Sequence, residues 1–191
     1  LLRMMFHVKP AFKSNYSNYL KAVNNRNKLL KKRASKNELI AWSGELVDLG
    51  EAIKAEKAGF FKNYYDSVDQ YFTGLNKKYN LNFLPLTKIK YYQGWAQNKT
   101  LSQCLKENFE KDRALGYTSA GPHRADIAIT VKTKKAADIL SRGQQKLLIL
   151  LLYLSIYPFL NKSFNASSVF LIDDLSSELD NKNLSLIMKE I

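Results

Sequence analysis

Two adjacent carboxylates, Asp173 and Asp174, close the apolar run Val169–Ile172. A short, β-prone run of that kind is the pattern of a parallel-sheet strand buried on both faces. The carboxyl edge of such a sheet is where open α/β folds bind ligands. Paired acids at that edge suit a cation. In phosphoryl transfer one acid holds magnesium and its neighbour orients or deprotonates the attacking water, and Asp173 and Asp174 fit those roles in that order. The equally open alternative is that the pair only ends a core strand and caps the next turn.

A second group of residues is suited to the partner charge. Ser141, Arg142, Gly143 and Gln144 form a polar turn directly before the apolar stretch Leu147–Leu154. If a helix begins here, its first N–H groups, the serine hydroxyl, the arginine charge and the positive helix end converge on one spot, which attracts an anion. Gly143 permits close backbone approach. Taken alone, these residues are better explained by Ser141 as the ordinary N-cap of a core helix.

The elements that must hold these residues follow from periodicity. Tyr16, Tyr19, Leu20, Val23 and Leu30 recur at helical spacing. Ser35-x-x-Glu38 then forms a capping box for a second helix, so the basic cluster Lys28–Lys36 lies at a helix–helix corner. From Leu39 to Leu75 the apolar steps of three and four predict one long helix or a kinked pair. Breaks are expected at Gly44, Gly50, Gly59 or Gly74, with fraying from Gly74 onwards. Leu84–Trp95 reads as extended with a turn at Gly94, and Thr100-x-x-Gln103 caps a helix that ends at Gly116. Ile127, Ile129 and Val131 alternate as in a half-buried strand.

Composition limits the classes of function. Lys and Arg number 30 against 17 Asp and Glu, a net +13, which favours polyanions such as nucleic acid or anionic lipid. One cysteine, Cys104, cannot form an internal disulfide, and with two histidines it is too little for a structural zinc site. A reducing cytoplasm is the expected location. The run Leu147–Leu154 is too short to span a bilayer and no cleavable signal precedes it, so no membrane partner is expected. The first residue is Leu1 and the last, Ile191, falls within a helical pattern; a piece of a longer chain is the expectation.

Taken in order, LSRGQ at 140–144, an apolar helix, VFLIDD at 169–174 and SELD at 177–180 resemble the signature motif, Walker B strand and D-loop of ABC-type ATPases. With FHVKPAF at 6–12, YYQGW at 91–95 and GYTSAGPHRADI at 116–127, the chain resembles the carboxyl-terminal half of the RecF family, bacterial replication and repair proteins related to the SMC ATPases. The resemblance implies an α/β fold class: a partial ABC-type ATPase lobe, its parallel-sheet strand carrying Walker B, plus a mostly helical second lobe. It places the end of the ATPase lobe at 1–12, the helical lobe with the signature motif at 13–160, and the return to the ATPase lobe at 161–191. It also implies ATP and Mg2+ as cofactors, with Asp173 the magnesium-side acid and Asp174 the water-side acid. Ser141, Arg142, Gly143 and Gln144 would then meet ATP held by a second molecule, with Ser177 and Asp180 in the D-loop.

Partners implied by the resemblance are DNA, single-stranded or gapped double-stranded, an ATP-dependent homodimer, and RecR and RecO, in recombinational gap repair and the SOS response. Asp174 stands where many ABC ATPases have glutamate, which suits slow hydrolysis, and Arg142 replaces the first glycine of the commoner LSGGQ. No G-x-x-x-x-G-K-[ST] phosphate loop occurs in the chain. Candidate DNA contacts are Lys28, Lys31, Lys32, Arg33 and Lys36, with Lys132, Lys134 and Lys135 as a second cluster. Tyr64, Tyr71 and Phe60 belong to the apolar stripe, and His123 and Arg124 are read as structural. The competing function is a non-catalytic basic helical module for DNA or protein binding.

Overall fold

The computed structural model describes residues 2–165, 169–173, 175 and 179–191. They divide into two compact units, Leu1–Phe61 with Tyr91–Ile127, and Lys62–Lys90 with Ala128–Ile191.

The first unit starts with α1 (Leu2–Val8) and α2 (Pro10–Lys31), the latter opened by a proline at its first turn, where no N–H is needed. The Ser35–Glu38 capping box then opens α3 (Lys36–Ala41): Ser35 Oγ accepts from Glu38 N at 3.3 Å and Glu38 Oε2 accepts from Ser35 N at 2.8 Å. Thr100 and Gln103 form the same box on α5 (Leu101–Glu107), and α6 (Phe109–Leu115) ends at Gly116 in the left-handed conformation. The helix expected between Thr100 and Gly116 is thus two helices hinged at Asn108.

A buried polar network ties α2 to α6. Arg26 Nη1 donates to Asp112 Oδ2 and to Thr118 Oγ1, both at 2.8 Å, and Asp112 Oδ1 accepts from Ser119 N at 3.0 Å. Arg26 is 2% exposed and Asp112 is fully buried. Removing one partner of such a pair leaves an uncompensated charge and costs about 3–5 kcal/mol.

Helix α4 (Ser43–Tyr79) passes from the first unit into the second without the breaks expected at its glycines. Leu46, Ile53, Phe60, Tyr64, Val68, Phe72 and Leu75 are buried along it. At about 1.5–3 kcal/mol for each buried side chain, this outweighs roughly 1 kcal/mol per glycine. Gly50 has a packing role besides, since a Cβ there would run into the Leu101 side chain. The helical path breaks one turn earlier, at Trp42. There Ser43 Oγ donates to Leu39 O at 2.5 Å, and the indole, expected on the apolar stripe, is 58% exposed.

Strands β1 (Thr87–Tyr92), β2 (Asp126–Val131) and β3 (Lys134–Lys135) form one sheet in that order. Strands β2 and β3 are antiparallel, with Thr130 opposite Lys135 and Val131 opposite Lys134. Gly94, at φ +99°, makes the expected turn, and its carbonyl accepts from Gly121 N at 3.2 Å.

The second unit is centred on α8 (Arg142–Leu154), preceded by α7 (Ala136–Ile139) and followed by α9 (Ile156–Phe164) and α10 (Asn181–Met188). Leu147, Leu148, Leu151, Leu154, Phe159 and Leu160 are buried. Tyr64 OH donates to Leu152 O at 2.9 Å beside Ser155 at the α8–α9 junction, and burial pushes its phenol up to about 12. Because α8 and α9 nearly run together, Arg142–Phe164 reaches 23 residues of mean hydropathy 1.6, long and apolar enough by those measures to cross a membrane. The eight-residue count underlying the sequence expectation therefore understated the stretch. A third of its most apolar window is buried, Leu147, Leu148 and Leu151 included, while Ile149, Tyr153 and Tyr157 are exposed.

The expected buried strand at Val169–Ile172 is not formed. Residues 169–173 carry no strand hydrogen bonding, and Val169 and Leu171 are 87% and 94% exposed. A parallel strand draws its hydrogen bonds from neighbours on either side, and among the described residues the only sheet is β1–β2–β3.

Candidate functional site

The amino end of α8 is built from its own sequence. Ser141 Oγ accepts from Gln144 N at 3.3 Å, and Gln144 Oε1 accepts from Ser141 N at 3.0 Å, a complete capping box. Gln145 braces the turn from behind, its Nε2 donating to Ala137 O at 3.1 Å and Leu140 O at 2.9 Å. The box accounts for the N–H groups of Ser141 and Gln144. Those of Arg142 and Gly143 have no carbonyl one turn back and remain as the donors that face an anion. Ser141 and Arg142 are exposed, so the donors are reachable from outside.

The second helix end lies alongside. Asp180 caps α10: its Oδ1 accepts from Asn183 N at 2.8 Å and its Oδ2 from Asn183 Nδ2 at 2.9 Å. A Cβ placed on Gly143 would stand 3.8 Å from Asp180 Oδ2 and 3.9 Å from Asn183 Nδ2. The structure thus brings the Ser141–Gln144 turn and Asp180, 37 residues from Gly143 in sequence, into contact distance. Both those distances are ordinary van der Waals contacts, so nothing among the described residues demands glycine at 143. Asn183 and Gln145 are the supports that sequence reasoning missed. The Asp180-x-x-Asn183 spacing, the same as Ser141-x-x-Gln144, was the available signal for the first of them.

Asp173 is exposed, and Asp174 and Ser177 lie outside the described residues. Among the described residues no three His, Cys, Asp or Glu side chains gather to hold a metal ion.

Lys28, Lys31, Lys32, Arg33 and Lys36 are all exposed at the corner between α2 and α3, where Arg33 takes a left-handed φ of 55° to reverse the chain. In the second unit Lys132, at φ 57°, Lys134 and Lys135 are exposed around the β2–β3 turn, and Lys88 and Lys90 project from the exposed positions of β1. Both clusters are solvated, as cations that bind phosphate must be.

His123 is positioned by structure. Its Nε2 donates to Thr118 O at 3.0 Å, so Nδ1 is the acceptor for Tyr19 OH at 2.6 Å. Burial holds the ring below the usual histidine range, which keeps it neutral. Arg124 lies 4.8 Å from the Tyr117 ring centre. Phe60 and Tyr64 are buried, which leaves them no face for a base.

No family model matches the chain. It is 35% identical over 183 residues to the DNA replication and repair protein RecF of Aliivibrio salmonicida (strain LFI1238), covering 96% of this chain and 49% of the relative. RecF of Psychromonas ingrahamii is 37% identical over 190 residues, covering 98% of this chain and 51% of that protein. The chain therefore spans about half the length of the curated relatives it matches. Among solved structures, the recombination mediator protein RecF-ATP in the RecFOR pathway matches with a TM-score of 0.77 at 22% identity over 97% of this chain and 52% of that one. The corresponding RecF-ATPrS structure gives 0.79 at 23% identity. The likeness establishes the fold as that of the RecF structures over the part this chain covers.

Proposed function

The chain belongs to the RecF family, as a segment about half as long as its curated relatives, and from that premise we propose that it is the part of an ATP-dependent DNA clamp that completes a partner subunit's nucleotide site. The observation that carries the reading is the capped, exposed amino end of α8 set against Asp180. Its two remaining N–H groups and the Arg142 charge suit the terminal phosphate of an ATP. A site split in this way makes nucleotide the adhesive between two protomers. Binding closes the dimer and hydrolysis opens it.

Asp173 would supply one oxygen ligand to Mg2+, with ATP phosphates and water as the others, since magnesium keeps much of its hydration in such sites. The ion neutralises charge that develops on the phosphates. Asp174 would hold the attacking water, and Ser177 and Asp180 would line the contact between protomers. The exposed clusters at Lys28–Lys36 and Lys132–Lys135 would meet DNA phosphates without reading sequence. The 1–12, 13–160 and 161–191 division into ATPase-lobe end, helical lobe and ATPase-lobe return belongs to the same proposal. So do RecO and RecR as partners, action at single-strand gaps with the SOS response, and a cytoplasmic location.

The test uses the intact protein. Asp174→Asn is expected to keep ATP-dependent dimerisation and stop hydrolysis, trapping a closed state on DNA. Continued hydrolysis would remove Asp174 from the water-side role. If neither ATP binding nor dimerisation occurs in the unmutated protein, the non-catalytic basic module is the correct reading.

A further inference from the structure

A pocket of about 220 Å³ opens in the first unit between α3, α4, α5 and α6, next to the basic corner. Its apolar wall is Leu39, Val47, Leu105 and Phe109, and Ile40, 47% exposed, stands at its edge. Lys36 and Lys106 line it as well, as does Arg26. Arg26 is 2% exposed, and although its Nη1 is fully engaged with Asp112 and Thr118, its buried Nε has no hydrogen-bond partner. Asp48 is the one acid lining the pocket, and it is exposed.

We propose that this pocket is a docking site for an acidic protein segment carrying one apolar anchor side chain. The anchor would enter between Leu39, Val47, Leu105 and Phe109, and carboxylates on either side of it would meet Lys36, Lys106 and the neighbouring Lys28, Lys31, Lys32 and Arg33. Charge complementarity selects an anionic partner, and the apolar floor selects a peptide over a nucleic acid. Single strands are held by stacking bases on exposed aromatic faces, whereas the one aromatic ring here, Phe109, is 8% exposed and already lies 5.8 Å from Lys36 Nζ. The proposal goes beyond the clamp reading: it shares Lys28–Lys36 with the DNA contacts proposed above, but every residue in it lies in the first unit and none belongs to the nucleotide site, so it stands if that site fails.

Fluorescence anisotropy on the intact protein tests it. The probe is a labelled peptide of glutamates flanking a single leucine, compared with the same peptide carrying serine in its place and with an oligothymidine. The leucine peptide is expected to bind about tenfold more tightly than the serine peptide, the weight of burying one such side chain. Gly44→Glu places a carboxylate at the pocket, and no atom lies within 4 Å of where a Cβ at this helical position would stand, so the variant folds. It should weaken the leucine peptide about tenfold, while oligothymidine binding changes by no more than about twofold. Equal binding of the leucine and serine peptides, or no binding of either, would overturn the proposal. So would a loss of oligothymidine binding as large as the loss for the peptide, because the occupant would then be nucleic acid.

Discussion

The amino end of α8 and the segment 169–173 differ in where their hydrogen bonds come from. The first finds its hydrogen-bond partners within eight residues: Ser141 and Gln144 satisfy each other, and Gln145 reaches back to Leu140 and Ala137. The second is an apolar run whose partners must be other strands, and no strand flanks it among the described residues. A nucleotide site assembled from both kinds of part has one half that folds from local sequence and another that depends on its surroundings.

The largest expected effect separates the two regions by burial. Leu151→Ala, at a fully buried position of α8, should lower unfolding stability by about 2–5 kcal/mol. Leu171→Ala, at a position 94% exposed, should change it by less than about 0.5 kcal/mol in this chain. Urea denaturation of both variants checks the contrast, and equal losses would mean that 169–173 is packed after all.

A smaller effect concerns two buried titratable groups of the first unit, Lys57 and His123. Lys57 is 5% exposed, donates to Pro122 O at 3.1 Å and lies 4.9 Å from the Tyr16 ring centre, and burial lowers its ammonium from 10.5 to about 8. Below pH 8 the folded and unfolded chains both carry the charge and the burial penalty stands in full. Between about 8 and 10.5 the folded chain gives up its proton first, so stability should rise with pH, by on the order of 3 kcal/mol. His123 works the same way at lower pH. Its folded value lies below the ordinary 6.5, so as pH falls through that region the unfolded chain takes up a proton that the folded chain resists, and stability falls. Thermal melts from pH 5 to 10 would show both slopes, and both should vanish in Lys57→Met with His123→Gln.

The smallest effect on the fold is the most informative about the site. Gly143→Ala meets only ordinary contacts, so its stability should stay within about 0.5 kcal/mol of the parent. In the intact protein it should nevertheless weaken ATP-dependent dimerisation, because the methyl group stands where a partner's phosphate would approach. Unchanged dimerisation would leave the glycine without a role in the interface.

The same division explains what could be read in advance. The Ser35 and Thr100 capping boxes, the Ser141 N-cap and the Gly116 helix stop were legible because each closes within a few residues. The Arg26–Asp112 pair, 86 residues apart, and the Tyr19–His123 bond, 104 apart, leave no local trace. Nor does the uninterrupted path of α4 through its glycines, which the buried side chains on either side of them decide. At the candidate site, the Ser141 cap was legible as a motif, whereas Asp180 was read only through the D-loop resemblance; its cap on Asn183 was missed, and its contact with the Ser141 turn depends on how α8 and α10 pack.

The central claim is that Ser141–Gln144 completes a nucleotide site on another protomer. Sedimentation velocity of the intact protein with and without ATP, parent against Ser141→Arg, tests it most directly. The substitution removes the cap at a cost of about 1 kcal/mol and fills the anion site with bulk, so the circular dichroism spectrum should be unchanged. The parent should shift from monomer to dimer on adding ATP, and the variant should remain monomeric. A variant that dimerises with ATP to the same extent as the parent would contradict the account.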